Sequence, residues 1–215
     1  SMKQEVIAYF QTMIEENLPV SNLIKSDFAT VNAQMAVHYG ISGVKSNAFV
    51  KVDLPPDSPR GGYLTQAAFL VAGSNGERTS PAVRGMILMN RFLNSPPAPP
   101  PPNVPELGEG ADGPLTNRKL VALHTSQAQC ASCHRKMDTI GLALENFDVD
   151  GSWRDTTRDG LEIDSTGILL DGTPVNGPAA LRNALSADPE LFASTVTEKL
   201  LVYSLGRGLI PRDMP

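Results

Sequence analysis

Ten residues near the middle of the chain, PPAPPPPNVP from Pro96 to Pro105, set the strongest limit on its fold. Proline fixes its own φ angle and lacks a backbone N–H, so a run this dense forms only polyproline II and extended coil. A flexible acidic stretch, Gly108 to Gly113, follows it. We therefore expect three parts: a helical N-terminal region over 3–95, a Pro/Gly-rich linker over 96–114, and a C-terminal domain over 115–215.

Both flanks of the linker carry apolar residues at the spacing of amphipathic helices. The predicted helices cover 3–18, 28–39, 64–72, 83–93, 115–125, 140–147 and 190–205. Residues rich in β-branched and apolar side chains predict one strand over 48–54 and a hairpin that turns at Thr166-Gly167. The sequence thus indicates a mainly α fold with a small β element, arranged as one or more helical bundle-like domains.

Charge and hydropathy exclude two classes of function. The net charge is −5, and the 18 basic residues do not cluster into the basic face that nucleic-acid binding requires. No apolar run approaches the roughly 18 residues of a membrane span. Ser1-Met2 is typical of the scar left by tag cleavage, so we expect an excised fragment of a longer protein, and a missing leader says nothing about compartment.

Both cysteines of the chain lie in one pentapeptide, Cys130-Ala-Ser-Cys133-His134. Attachment of haem c accounts for every residue in it, because the two thiols add to the two vinyl groups of the ring and their spacing matches the vinyl separation. The histidine that follows is then the proximal iron ligand. Its second ring nitrogen is expected to donate to a backbone carbonyl, which fixes the tautomer. The motif therefore indicates a cytochrome c-like segment.

Two other readings of the pentapeptide stay open. With His124 it forms H-x5-C-x2-C-H, a set of sulfur and imidazole ligands suited to zinc, although neighbouring Cys133 and His134 rarely both reach one tetrahedral metal. A redox dithiol is the third reading, but the Trp-Cys context and βαβ pattern of thioredoxin-like proteins are missing. Covalent haem is the favoured cofactor and zinc the alternative.

The sixth ligand of a haem iron is less constrained. Met137 follows His134 by three residues, so on a helix it lies on the same face and cannot easily cross to the far side of the ring. His124 is favoured because it lies nearby on a separate segment. The other residues able to ligate iron are His38, Met35, Met86 and Met89. An open sixth position would favour catalysis over simple electron transfer.

Several stretches resemble one family. CASCHRKMDTIGLALENFDVDGSWR resembles the haem-site region of planctomycete-type multidomain cytochrome c proteins, which are built from uncharacterised domains. GGYLTQAAFLVAGSNGERTSPAVRG and RFLNSPPAPPPPNVPEL resemble the domain before that site. DGTPVNGPAALRNAL and FASTVTEKLLVYSLGRGL resemble the closing domain, and FATVNAQMAVHYGI the tail of an earlier one.

The resemblance implies an exported bacterial protein that carries c-type haem, often beside an upstream cytochrome domain. It assigns Cys130 and Cys133 to the thioether bonds and His134 to the axial position. His124 and Met137 stand where the family pattern has His and Met, without an assigned role. Arg78 and Arg84 are also family-like: they are candidates for binding haem propionates, or for capping and pinning the helix that begins there.

The sequence thus predicts a periplasmic or otherwise exported domain that passes single electrons to or from a redox partner protein or an upstream cytochrome domain. One alternative is a peroxidase- or dehydrogenase-like haem enzyme with an open sixth site. The other is a structural or interaction module whose cysteines bind zinc or remain bare. Neither a Ser/His/Asp nor a phosphate-loop motif supports other enzymatic chemistry.

Overall fold

The structure, a computed structural model, describes residues 1–99 and 115–213. In these ranges eight α-helices accompany two small antiparallel sheets, so the prediction of a mainly α fold with a small β element is confirmed. Most of the predicted linker, residues 100–114, lies outside the described residues, and the domain boundary stays a prediction. Every helix in the described ranges is too short or too polar to span a bilayer.

The elements follow one another as helices interrupted by two antiparallel pairs of strands, of which the first encloses a helix and the second is a hairpin. The helices are α1 (Met2–Glu15), α2 (Ala33–Tyr39), α3 (Ala67–Ala72), α4 (Pro81–Arg91), α5 (Asn117–Thr125), α6 (Ala128–Leu142), α7 (Gly177–Leu185) and α8 (Pro189–Leu205). The strands are β1 (Phe28–Val31), β2 (Val50–Asp53), β3 (Thr166–Ile168) and β4 (Pro174–Asn176). β1 pairs with β2, and β3 pairs with β4.

Side-chain caps explain where several helices begin and end. Ser80 accepts a hydrogen bond from the backbone N–H of Val83 at the start of α4, and Pro81 fills the first helical position, as its sequence predicts. Asp188 caps α8 in the same way. Gly206 ends α8 in the left-handed region at φ 65°, which glycine adopts without steric cost.

Three local predictions are wrong. Residues 28–31, predicted as the start of a helix, form β1, because α2 begins only after Asn32, whose side chain accepts a hydrogen bond from the backbone N–H of Met35. Thr166-Gly167 begins strand β3 instead of forming its turn, and the hairpin turns at 169–173. Only 140–142 of the predicted helix 140–147 are helical, and they close α6.

One buried core joins the residues on both sides of the proline-rich tract. It contains Phe69 and Leu88 from the N-terminal half together with Ile140 and Phe147 from the C-terminal half. Aromatic side chains bridge the halves as well: the rings of Phe92 and Phe192 stack with centroids 5.5 Å apart. The two halves are therefore packed as one body around this core.

Helices α4 and α6 approach so closely that their backbones touch. A Cβ atom on Gly85 would overlap the carbonyl of Met137, and one on Gly141 would overlap the carbonyl of Pro81. Pro81 and Gly85 of α4 meet Gly141 and Met137 of α6 in turn, so residue numbers rise along one helix as they fall along the other. The two helices therefore run antiparallel. The contact fixes α6, which carries the cysteines, directly against the N-terminal half.

Buried arginines bind the loops around this helix pair. Arg84, fully buried on α4, donates from Nη1 to the carbonyls of Leu144 and Phe147 at 2.8 Å and from Nη2 to that of Asp148 at 3.0 Å. Burial lowers the pKa of Arg84 to about 10, so it remains charged at neutral pH. Arg182 likewise donates to carbonyls of residues 58, 60 and 61. These bonds satisfy loop carbonyls that would otherwise be buried without partners.

Replacing either crossing glycine should unfold the helix pair. Gly85→Ala and Gly141→Ala each place a methyl group on a backbone carbonyl that cannot move without separating the helices, so we expect a loss of at least about 3 kcal/mol in the free energy of unfolding. Gly208→Ala is the matched control, because nothing lies within 4 Å of its added Cβ. Urea denaturation followed by circular dichroism measures all three, and equal midpoints for Gly85→Ala and the control would contradict the close contact.

A second polar cluster is buried between α1, α2 and the loop before α3. The hydroxyl of Tyr39 donates to the carboxyl group of Glu5, whose oxygens lie 2.7 and 2.8 Å away. The guanidinium of Arg60 lies 3.7 Å from the centroid of the Tyr39 ring. Burial raises the pKa of Glu5 to about 7, although Tyr39 and Arg60 oppose the shift.

This raised pKa predicts a pH-dependent stability. Between pH 4.5 and about 7 the folded protein holds a proton on Glu5 that the unfolded chain releases, so this contribution to stability is complete below 4.5 and is lost as pH rises through 7. The shift corresponds to about 3 kcal/mol. We expect urea denaturation across this range to show a falling free energy of unfolding in the wild type and in Glu15→Gln, an exposed substitution on the same helix. The same measurement should show no such fall in Glu5→Gln. Parallel pH profiles for all three proteins would contradict it.

Candidate haem attachment site

The site lies on a helical hairpin formed by α5 and α6. Thr116 caps α5 by accepting a hydrogen bond from the backbone N–H of Lys119, and Ser126-Gln127 link the two helices. The CxxCH pentapeptide is part of the continuous helix α6. One side of α6 is buried against α4, whereas its two cysteines are half-exposed.

The two thiols are free and lie on neighbouring positions of one helix face. Cys133 follows Cys130 by three positions, a spacing that places their side chains one turn apart on the same side of the helix. Their nearest polar neighbours are weakly placed: Gln127 Oε1 lies 3.9 Å from the Sγ of Cys130, and Ser132 Oγ lies 3.8 Å from that of Cys133. Both sulfurs are thus available for a covalent bond.

The orientation of His134 is set by Asp138, one helical turn further along α6. The Nδ1 atom of His134 lies 3.0 Å from both carboxylate oxygens of Asp138. The expectation of a backbone carbonyl at this place is wrong. With Nδ1–H donated to the carboxylate, the lone pair of the ring is on Nε2, the atom that a haem iron would bind.

Asp138 is an unusual partner because only 2% of its surface is exposed. Burial raises its pKa, and the adjacent His134 opposes that shift. An exposed pair at this spacing stabilises a helix by about 0.5 kcal/mol, whereas removing a carboxylate from water costs several kcal/mol before compensation. Helix stability alone therefore does not account for an aspartate here.

His124, in the last turn of α5, packs directly on His134. The two ring centroids lie 4.3 Å apart with the rings nearly perpendicular, at 80°. The Nε2 atom of His124 is buried without a hydrogen-bond partner. Burial and the nearby His134 both lower the pKa of His124. Its unpartnered nitrogen is a second candidate ligand atom beside the pentapeptide.

The distance between the rings of His124 and His134 shows whether both could bind the iron of one haem. Metal–nitrogen bonds of about 2 Å on opposite sides of an iron would place two imidazole centroids about 6 Å apart. At 4.3 Å the rings touch, so His124 serves as a sixth ligand only if α5 moves away from α6. The thiol pair and His134 supply the donor atoms that haem c attachment needs, two free sulfurs and one imidazole nitrogen.

The structure also bears on the zinc reading. Among residues 1–99 and 115–213, no three His, Cys, Asp or Glu side chains converge as ligands of one metal ion. A zinc site built from His124, Cys130 and Cys133 would therefore need these side chains to rearrange, and it stays a prediction.

The remaining predicted site residues are Met137, one helical turn beyond Cys133, and the two arginines Arg78 and Arg84. Met137 packs against the buried core, and Arg84 is occupied by the carbonyls described above. Arg78 is exposed and precedes α4, whose beginning crosses α6 at Gly141. That crossing is seven residues, or about 10 Å, along α6 from His134. Binding of haem propionates by the two arginines stays a prediction and is not part of the proposal below.

A buried polar network, not foreseen from the sequence, anchors the start of α5. Asn117 donates to Thr79 Oγ1 at 2.7 Å and to Glu145 Oε1 at 2.8 Å. Arg154 reaches the same Glu145 oxygen at 2.5 Å and Asp148 at 2.8 Å. The network connects the segment before α4, the start of α5 and the loop after α6, so it holds the hairpin in place.

Comparison with known proteins gives three matches in succession. Residues 1–41, 60–157 and 171–215 are similar to three families, each described as a protein of unknown function: DUF1592, DUF1588 (PSCyt3) and DUF1585. The middle match contains the whole α5–α6 hairpin. Neither the curated proteins nor the solved structures contain a match. The three families are domains typical of planctomycete cytochrome c-type proteins, and this chain is similar to all three in turn.

Proposed function

We propose that this chain carries covalently bound haem c on α6 and passes single electrons within a larger exported redox protein. Cys130 and Cys133 form the thioether bonds, and His134 is the axial ligand. Since thioether attachment depends on maturation machinery outside the cytoplasm, the proposal includes export to the periplasm or beyond. The redox partner is a separate protein or an upstream cytochrome domain.

One observation carries the proposal: His134 Nδ1 is held at 3.0 Å by the Asp138 carboxylate, so Nε2 is left free beside two free thiols. A histidine with one nitrogen fixed in this way is the usual arrangement of a metal ligand. The similarity to domains typical of cytochrome c-type proteins supports the same reading.

Each part of the site has a separate task in this function. The haem supplies one-electron chemistry when bound. The thiols hold it at one position on a rigid helix, and their half-exposed face lies where a partner protein can approach. The α4–α6 contact keeps that helix fixed in the body of the protein, which limits reorganisation when charge changes.

The direct test is covalent haem content. Protein produced with the haem c maturation system should give a c-type pyridine haemochrome spectrum that survives denaturation. Cys130→Ser or Cys133→Ser should lose one thioether bond and most of the haem, while Ser132→Ala, the change between them, should retain it. Folded wild-type protein without haem under these conditions would overturn the proposal, and about one bound zinc per chain would support the structural alternative.

The contact between His124 and His134 favours a second candidate, a haem enzyme with an open sixth site, because the two rings as they stand cannot both bind one iron. The oxidised protein should then bind cyanide rapidly, and His124→Ala should bind it at an unchanged rate. A six-coordinate spectrum of the wild type that becomes cyanide-sensitive only in His124→Ala would instead make His124 the sixth ligand and favour electron transfer.

A further inference from the structure

We propose that Asp138 is a positioning residue that sets the tautomer of His134 and lowers the reduction potential of the iron bound to it. The inference rests on the proposed function, since it concerns the same axial ligand. It goes further by assigning a role to a residue outside the CxxCH motif, and by predicting an electron carrier of low potential.

The Asp138 side chain interacts with His134. Its carboxylate makes no hydrogen bond to any other described residue, and both of its oxygens face the same imidazole nitrogen. The side chain of His134 is 21% exposed and that of Asp138 is 2% exposed, so water competes little for the bond. The carboxylate thus has one partner and one orientation.

The electronic effect follows from the kind of acceptor. A carboxylate accepts Nδ1–H more strongly than the neutral backbone carbonyl expected from the sequence, because it carries charge. The stronger bond raises the basicity of Nε2 as a ligand. Greater donation from Nε2, together with a buried negative charge nearby, stabilises the oxidised iron over the reduced iron. The reduction potential therefore falls.

A packing role for Asp138 makes different predictions from a positioning role. If Asp138 only stabilised α6, its replacement would change the free energy of unfolding but leave the ring tautomer and the potential as they were. If it positions His134, Asp138→Asn should keep the shape of the side chain and remove its charge, and Asp138→Ala should remove the bond altogether. The two variants therefore separate charge from contact.

The first measurement uses the protein without haem. Nitrogen-15 NMR of the histidine rings at alkaline pH should show His134 as the Nδ1–H tautomer in the wild type, because Asp138 accepts that proton. In Asp138→Ala the Nε2–H tautomer should dominate. Asp159→Asn, an exposed change in the same half of the chain, should match the wild type. An unchanged tautomer in Asp138→Ala would overturn the positioning role, whatever the haem content.

The second measurement uses the loaded protein and spectroelectrochemical titration. At a fixed solution potential the ratio of oxidised to reduced protein should fall at least about tenfold in Asp138→Asn and Asp138→Ala, a rise of about 59 mV in the midpoint of a one-electron couple. Asp159→Asn should titrate as the wild type. Loaded variants with unchanged midpoints would overturn the inference and leave the proposed function standing. A wild type that never takes up haem would overturn both, and the NMR result would then describe only the free imidazole.

Discussion

The backbone contact between α4 and α6 is the constraint on which the rest of the structure depends. Two glycines, Gly85 and Gly141, remove the side chains that would hold the helices apart, and each admits a carbonyl of the other helix. Close approach brings Leu88 and Ile140 into the same buried core. It also determines which side of α6 is accessible, because the side against α4 is buried and the cysteines lie on the half-exposed side. The site therefore owes its placement to residues that never touch it.

Charged and polar side chains hold the loops around the packed helices α4 and α6. Tight helix packing leaves the surrounding loops buried, and their carbonyl groups need donors. Arg84 supplies donors to three loop carbonyls after α6, and Glu145 gathers Asn117, Thr79 and Arg154 around a single oxygen. Four of these six bonds join residues that are sixty or more positions apart in the chain. Such bonds fix the hairpin of α5 and α6 in the orientation that presents His134 and both thiols on one side.

Local signals in the sequence were sufficient for helices that carry their own caps. Helices α4 and α8 begin within two residues of their predicted starts at 83 and 190, because their caps, Ser80 and Asp188, act over only three or four residues. Local pattern predicts a helix over strand β1, because the pairing of β1 with β2 is a contact between distant segments. The pentapeptide identified Cys130, Cys133 and His134, and its spacing to Asp138 at i, i+4 was available in the sequence but was not used. The approach of His124 to His134 depends on how α5 packs on α6, which no local pattern specifies.

The buried core of this protein lies beside the candidate site and contains neither of its cysteines. Aromatic and aliphatic side chains from both halves fill it, and the cysteines stand at its edge on the half-exposed side of α6. In small domains organised by a metal, the free energy of binding is also the free energy of folding. Here Cys130, Cys133 and His134 are not part of the buried core, so we expect substitutions around them to change the chemistry of the site without disturbing the fold. A chain of this kind can vary its chemistry at one helix face while its interior stays unchanged.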